Sequence, residues 1–174
     1  MPAARLAAAL GLAMASQAPA ALAQSCHPLA GHWRYDAAAS HVGSGLSFNP
    51  YYAVSGIDLV LEQGAGGLTQ SWHLTGPHLD ETDRYTTPAD GTLAPTGTRS
   101  ALNAVPQAVS GQWESCTLVE EGRASLFGQT VWTRSRFFVA ADNRRLTITQ
   151  SSHSDLGDVE RTLIFTRTDE RPLP

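Results

Sequence analysis

The segment Trp72-His73-Leu74-Thr75-Gly76-Pro77-His78-Leu79-Asp80 concentrates side chains able to do chemistry. A tight hairpin at Gly76-Pro77 would set Thr75 against His78 and His73 against Asp80, with Leu74 and Leu79 on the opposite face. Two imidazoles and a carboxylate suit Zn²⁺ ligation, or a general base with an orienting acid. His73, His78 and Asp80 are therefore the candidate catalytic residues. The spacing assures no third ligand, so no metal is assigned, and the same residues suit a wet outer face. Ser152-His153-Ser154-Asp155 holds the residue types of a hydrolase triad. Triads assemble across a fold, not along consecutive residues, and no G-x-S-x-G elbow is present. That stretch is expected to be the loop before the final hairpin.

Other groups narrow the chemistry further. All 12 basic residues are arginines, which excludes Schiff-base lysines, a Walker A loop and a lysine general base. Net charge is −4, pI is about 5.8, and no basic run is present, so no nucleic-acid partner is expected. Arg134 and Arg136 share a strand face where a carboxylate could bind, but a solvated face is the preferred reading. Phe48-Asn49-Pro50-Tyr51-Tyr52 lies between glycines. It reads as an aromatic loop that either gates a cavity or packs onto the wall beneath it. No cofactor is implied.

The elements that must position these groups are strands. Short alternating runs separated by Gly, Pro, Asn and Asp are the all-β signature. Ile57, Leu59 and Leu61 share one face, as do Leu68, Trp72 and Leu74. Further runs cover 79–87, 112–120, 125–139, 145–151 and 159–167. Turns are predicted at 64–67, Asp90-Gly91, Glu121-Gly122, Asp142-Asn143 and 156–158. Asp36 is placed to cap one helical turn, and 101–111 reads as an irregular excursion. About eight or nine strands favour an up-and-down antiparallel barrel, with a sandwich as second choice; closure removes exposed edges.

The first 23 residues read as a cleaved signal peptide: Arg5, an apolar Leu6–Met14 stretch, and the A-x-A site Ala21-Leu22-Ala23. The apolar run is too short for a membrane span. A single mature domain, 24–174, in the periplasm or secreted, is expected. There Cys26 and Cys116 would form a disulfide closing a loop of about 90 residues.

Gly31-His32-Trp33-Arg34-Tyr35-Asp36-Ala37-Ala38-Ala39-Ser40 resembles the opening G-x-W-[KR]-[LY]-[DN]-x-x-x-S of a group of exported bacterial lipocalin-like proteins. Weaker likeness continues through Arg84-Tyr85, Ala89-Asp90-Gly91, Pro95-Thr96-Gly97 and Val159 to Arg167. Thr82-Asp83-Arg84-Tyr85 is similar to the lipocalin T-D-Y motif but stands too early in the strand order to be its counterpart. The resemblance implies an arginine, Arg161 or Arg167, packed over Trp33, and a barrel able to enclose a small, mainly apolar molecule. It implies no catalytic residue. Strand parity then gives Trp33, Tyr35, Leu59, Leu61, Trp72, Phe137 and Phe165, with Tyr51 at the rim, as candidate ligand-binding residues. Two alternatives stay open: a hydrolase or isomerase using the His73/Asp80 pair at the barrel mouth, and an envelope protein-interaction module with a solid barrel.

Overall fold

A computed structural model describes residues 26–42, 54–97, 106–126, 128–155 and 157–168. The proposed signal peptide and the aromatic loop carrying Tyr51 lie outside the described residues. Among the described residues eleven strands form one antiparallel sheet: β1 Gly31–Tyr35, β2 His41–Val42, β3 Gly56–Gly64, β4 Gly67–Gly76, β5 Leu79–Thr87, β6 Ala94–Pro95, β7 Ala108–Glu114, β8 Thr117–Leu126, β9 Gln129–Val139, β10 Arg145–Ser154 and β11 Gly157–Arg167. Their order is β5-β4-β3-β1-β11-β10-β9-β8-β7-β6, with β2 also paired to β11. This is the expected up-and-down barrel. Its two ends approach at a seam, where Asp90 bridges Gln112 and the Gly91 amide donates to the Gly111 carbonyl at 2.9 Å.

Alternation explains the wall. Leu59, Leu61, Leu68, Leu74, Phe137, Ile148, Leu163 and Phe165 point inward and are buried, while Asp58, Arg84, Arg134 and Arg136 lie on the outer face, Asp58 paired with Arg34, Arg84 with Glu62, and Arg134 and Arg136 with Glu114. Two-residue loops join Gly64 to Gly67 and Gly76 to Leu79.

The end of the barrel at Arg167 is stapled. Its guanidinium carbon stands 4.1 Å from the centroid of the Trp33 ring. It donates to the carbonyls of Asn143 at 2.8 Å, Ala30 at 3.0 Å and Pro28 at 3.1 Å. Trp33 Nε1 donates to the Leu29 carbonyl at 3.0 Å. Of the two arginines considered for this contact, Arg167 makes it. The rest of the opening motif interrupts the pairing along β11 between β1 and β2: Asp36 Oδ1 accepts from the Ala39 amide at 3.0 Å, closing the predicted turn. Ser40 Oγ then accepts from the Ile164 amide at 2.8 Å, so β11 loses no partner where the turn bulges away.

Four local expectations are corrected. The run 112–120 is two strands, β7 and β8, reversed at Ser115-Cys116, with Ser115 in the left-handed region (φ 54°). Glu121-Gly122 is not a turn but lies within β8, facing β7. A Cβ at Gly122 would meet Thr133 Oγ1 at 2.6 Å and Pro106 Cβ at 2.8 Å, so the glycine answers close packing instead of chain reversal. Ser152-His153-Ser154 belongs to β10 instead of a loop. Residues 108–111, expected to be irregular, belong to β7.

Candidate functional site

The wall formed by β8, β9, β10 and β11 changes character from one inward row to the next. Leu118, Phe137, Ile148 and Leu163 are mutual neighbours across the four strands, and the adjacent row is Glu120, Ser135, Gln150 and Arg161. The apolar row belongs to the main core. The polar row is tied laterally, since Gln150 Nε2 donates to Ser135 Oγ at 3.1 Å.

Opposite this row stand β4 and β5. Gln70 is fully buried and is the centre of a network that crosses the interior near the seam. Its Nε2 donates to Glu120 Oε2 at 2.6 Å and to Thr87 Oγ1 at 2.9 Å. Its Oε1 accepts from Trp72 Nε1 at 3.1 Å and from the Tyr85 hydroxyl at 3.2 Å. Thr87 Oγ1 donates to the same Glu120 oxygen. Glu120 Oε1 meets only the Tyr85 hydroxyl, at 3.4 Å, beyond the usual range for an O–H···O bond. Burial pushes the Glu120 carboxyl up from its ordinary value, against the opposing pull of Thr87, Gln70 and Tyr85.

Between these walls lies a cavity lined by Trp72, Leu74, Asp83, Tyr85, Glu120, Ser135, Phe137, Ile148, Gln150 and Leu163. Its free volume is about 20 Å³, room for about one water. The side chains therefore nearly fill the barrel, and a larger occupant enters only as they move. Asp83, 2% exposed, and Glu120 are its charged lining residues.

The candidate ligand-binding residues separate. Trp72 and Phe137 line the cavity. Trp33, Leu59, Leu61 and Phe165 are buried core, with Trp33 engaged by Arg167. Tyr35 is partly buried, 5.7 Å from Phe165 between ring centroids. The alternation of β5 and β8 was the signal for Tyr85, Asp83 and Glu120, because each shares parity with an inward apolar or small residue. Their polarity hid them.

The candidate catalytic segment is on the outer wall. Gly76 pairs with Leu79, so the loop is Pro77-His78 and not Gly76-Pro77. His73 now faces Thr82 directly, and Thr75 faces Asp80. The two-residue slip keeps parity, and His73 Nε2 still lies 2.8 Å from Asp80 Oδ1. His78 is in the turn. Asp80 is 86% exposed, so the pair faces solvent and not the cavity. His153 Nδ1 and Asp158 Oδ1 form a second outer pair at 2.5 Å. Among the described residues no group of three or more His, Cys, Asp or Glu is placed to hold a metal. Arg134 and Arg136 both engage Glu114, at 3.4 and 2.9 Å, as a solvated face would. Cys26 and Cys116 are joined, with an S–S distance of 1.99 Å.

No protein-family model matches the chain, and no curated protein matches it. Among solved structures, it is similar to the crystal structure of zebrafish ileal bile acid-binding protein complexed with cholic acid. The match has 8% sequence identity and a TM-score of 0.39, and covers 80% of this chain and 98% of that one. The strand order and near-closure described above are those of an up-and-down antiparallel barrel. Among the described residues no helix is long and apolar enough to cross a membrane.

Proposed function

We propose that this protein is an exported lipocalin-like barrel that binds a small, mainly apolar molecule in its interior. The observation that carries the reading is the cavity: Trp72, Leu74, Phe137, Ile148 and Leu163 supply an apolar bed, and a few convergent polar groups stand at one side. That division, a greasy wall with a small number of placed polar atoms, is the usual make-up of a small-molecule site. Trp72 is the half-buried member of the wall, and its indole is the side chain that moves to admit an occupant larger than water.

A second reading rests on a different observation. The interior is nearly full, and Trp132 and Phe138 stand 54% and 46% exposed on the outer face of β9. An envelope interaction module with a solid barrel would use that face.

Native mass spectrometry of the protein purified from the periplasm, before and after organic extraction, separates the two. A reproducible mass excess that extraction removes supports the binding reading. A bare mass of Gln24–Pro174 less two hydrogens, unchanged by incubation with the extracted envelope lipids and metabolites, moves the assignment to the solid barrel.

A further inference from the structure

Resting on the binding reading, we propose that the cavity selects a small aromatic or aliphatic amine, its ammonium held by Glu120 and Asp83 and its apolar body against Trp72, Tyr85 and Phe137.

The charge of the inner wall is one-sided. Inward-facing charged residues above the apolar row are Glu81, Asp83, Glu120 and Arg161, by strand parity. Both charged residues that line the cavity are acids. Arg161 is half-buried and lies three strands from Glu120 along its row, about 14 Å of wall at ordinary strand spacing. Arg167 is committed to the Trp33 staple. A carboxylate ligand would meet two acids, with no cation among the described lining residues.

The hydrogen-bond capacity points the same way. Glu120 is 3% exposed. Its Oε2 accepts two good bonds, but its Oε1 has only the 3.4 Å approach of the Tyr85 hydroxyl. A buried carboxylate oxygen with spare acceptor capacity, beside a cavity, favours a donor. An ammonium is the donor that also offsets the cost of ionising a buried acid. The neighbouring aromatics add to this preference, since the faces of Trp72, Tyr85 and Phe137 attract a cation while their apolar area takes up its hydrocarbon.

The test compares three probes of matched shape, benzylamine, benzyl alcohol and benzoate, by titration calorimetry on the extracted, disulfide-intact protein. Benzylamine is expected to bind about tenfold or more tightly than benzyl alcohol, with benzoate weakest. Asp83→Asn and Glu120→Gln are each expected to bring the amine-to-alcohol ratio to within about twofold of one, while alcohol binding persists. Equal or tighter binding of benzyl alcohol or benzoate overturns the amine assignment and leaves the binding barrel standing. Absence of binding by all three probes overturns both. The wild-type comparison needs no variant, so a substitution that fails to fold does not shelter the proposal.

Discussion

A Cβ built on Gly31, whose φ is +151°, would lie 2.2 Å from Arg167 Nη1 and 3.1 Å from its guanidinium carbon. The glycine therefore exists to let the guanidinium lie on Trp33. Gly31→Ala is expected to cost about 2–3 kcal/mol, through backbone strain and displacement of the arginine. Arg167→Ala should cost a similar amount, and the double variant much less than the sum, because both act on one contact. Urea unfolding of the four proteins measures this; additive losses would show two separate contacts. Trp72 differs from Trp33 in kind. It is half-buried, packs edge-on to Phe165 at 6.0 Å and lines the cavity. Trp72→Ala is expected to weaken binding of the co-purifying ligand more than tenfold, while lowering stability by no more than about 3 kcal/mol. Equal losses in both would make it a core residue. The opening motif was legible because Gly, Trp and Arg each have a conformational or electrostatic reason to stand there. Glu120 was not, since a polar residue on an inward position reads in sequence as a break in the pattern.

Strand parity is the part of the fold that the chain writes most plainly, and strand ends are the part it obscures. Ile57-Leu59-Leu61 and Leu163-Phe165 announce their inward faces. The Pro77-His78 turn was displaced by one residue because Gly76 and Pro77 are both turn formers, yet the even slip left His73 and Asp80 on the same outer face. Gly122 and Gly111 mislead for one reason: each is a strand glycine kept for close approach. A Cβ at Gly111 would meet the Pro88 carbonyl at 2.6 Å and Thr87 Cγ2 at 2.7 Å, where the chain leaving β5 lies against β7. Gly111→Val is therefore expected to push the seam apart, costing about 1–3 kcal/mol. It would also leave the β5 edge open to pairing. Sedimentation velocity should show concentration-dependent self-association of the variant but not of the parent; a monomeric, fully stable variant would mean that the seam tolerates separation.

At the scale of the whole molecule, two long-range ties hold the barrel together where hydrogen-bonded strands do not. The Cys26–Cys116 bridge has a sequence separation of 90. It links the segment before β1 to the β7–β8 turn, and Cys26→Ser with Cys116→Ser is expected to lower stability by about 4–5 kcal/mol, if chain entropy dominates. Equilibrium unfolding of the two-site variant under non-reducing conditions measures it. The second tie is Glu120, which joins β8 to Gln70 on β4 and to Thr87 and Tyr85 on β5 across the seam. Burial raises its pKa above 4.5, so the folded protein holds that proton more tightly than the unfolded chain. The resulting stabilisation is fully present below about pH 4.5 and is lost as pH rises through the folded-state value. Glu120→Gln removes the titration while keeping an acceptor for Gln70 and Thr87 and placing its amide toward the Tyr85 oxygen. Relative to the parent, the variant should gain stability as pH increases above 4.5. Unfolding free energies of both proteins measured from pH 4.5 to 8 decide it. A difference that stays flat, or that grows toward acid, would mean that Glu120 carries its charge in the folded barrel at no net cost.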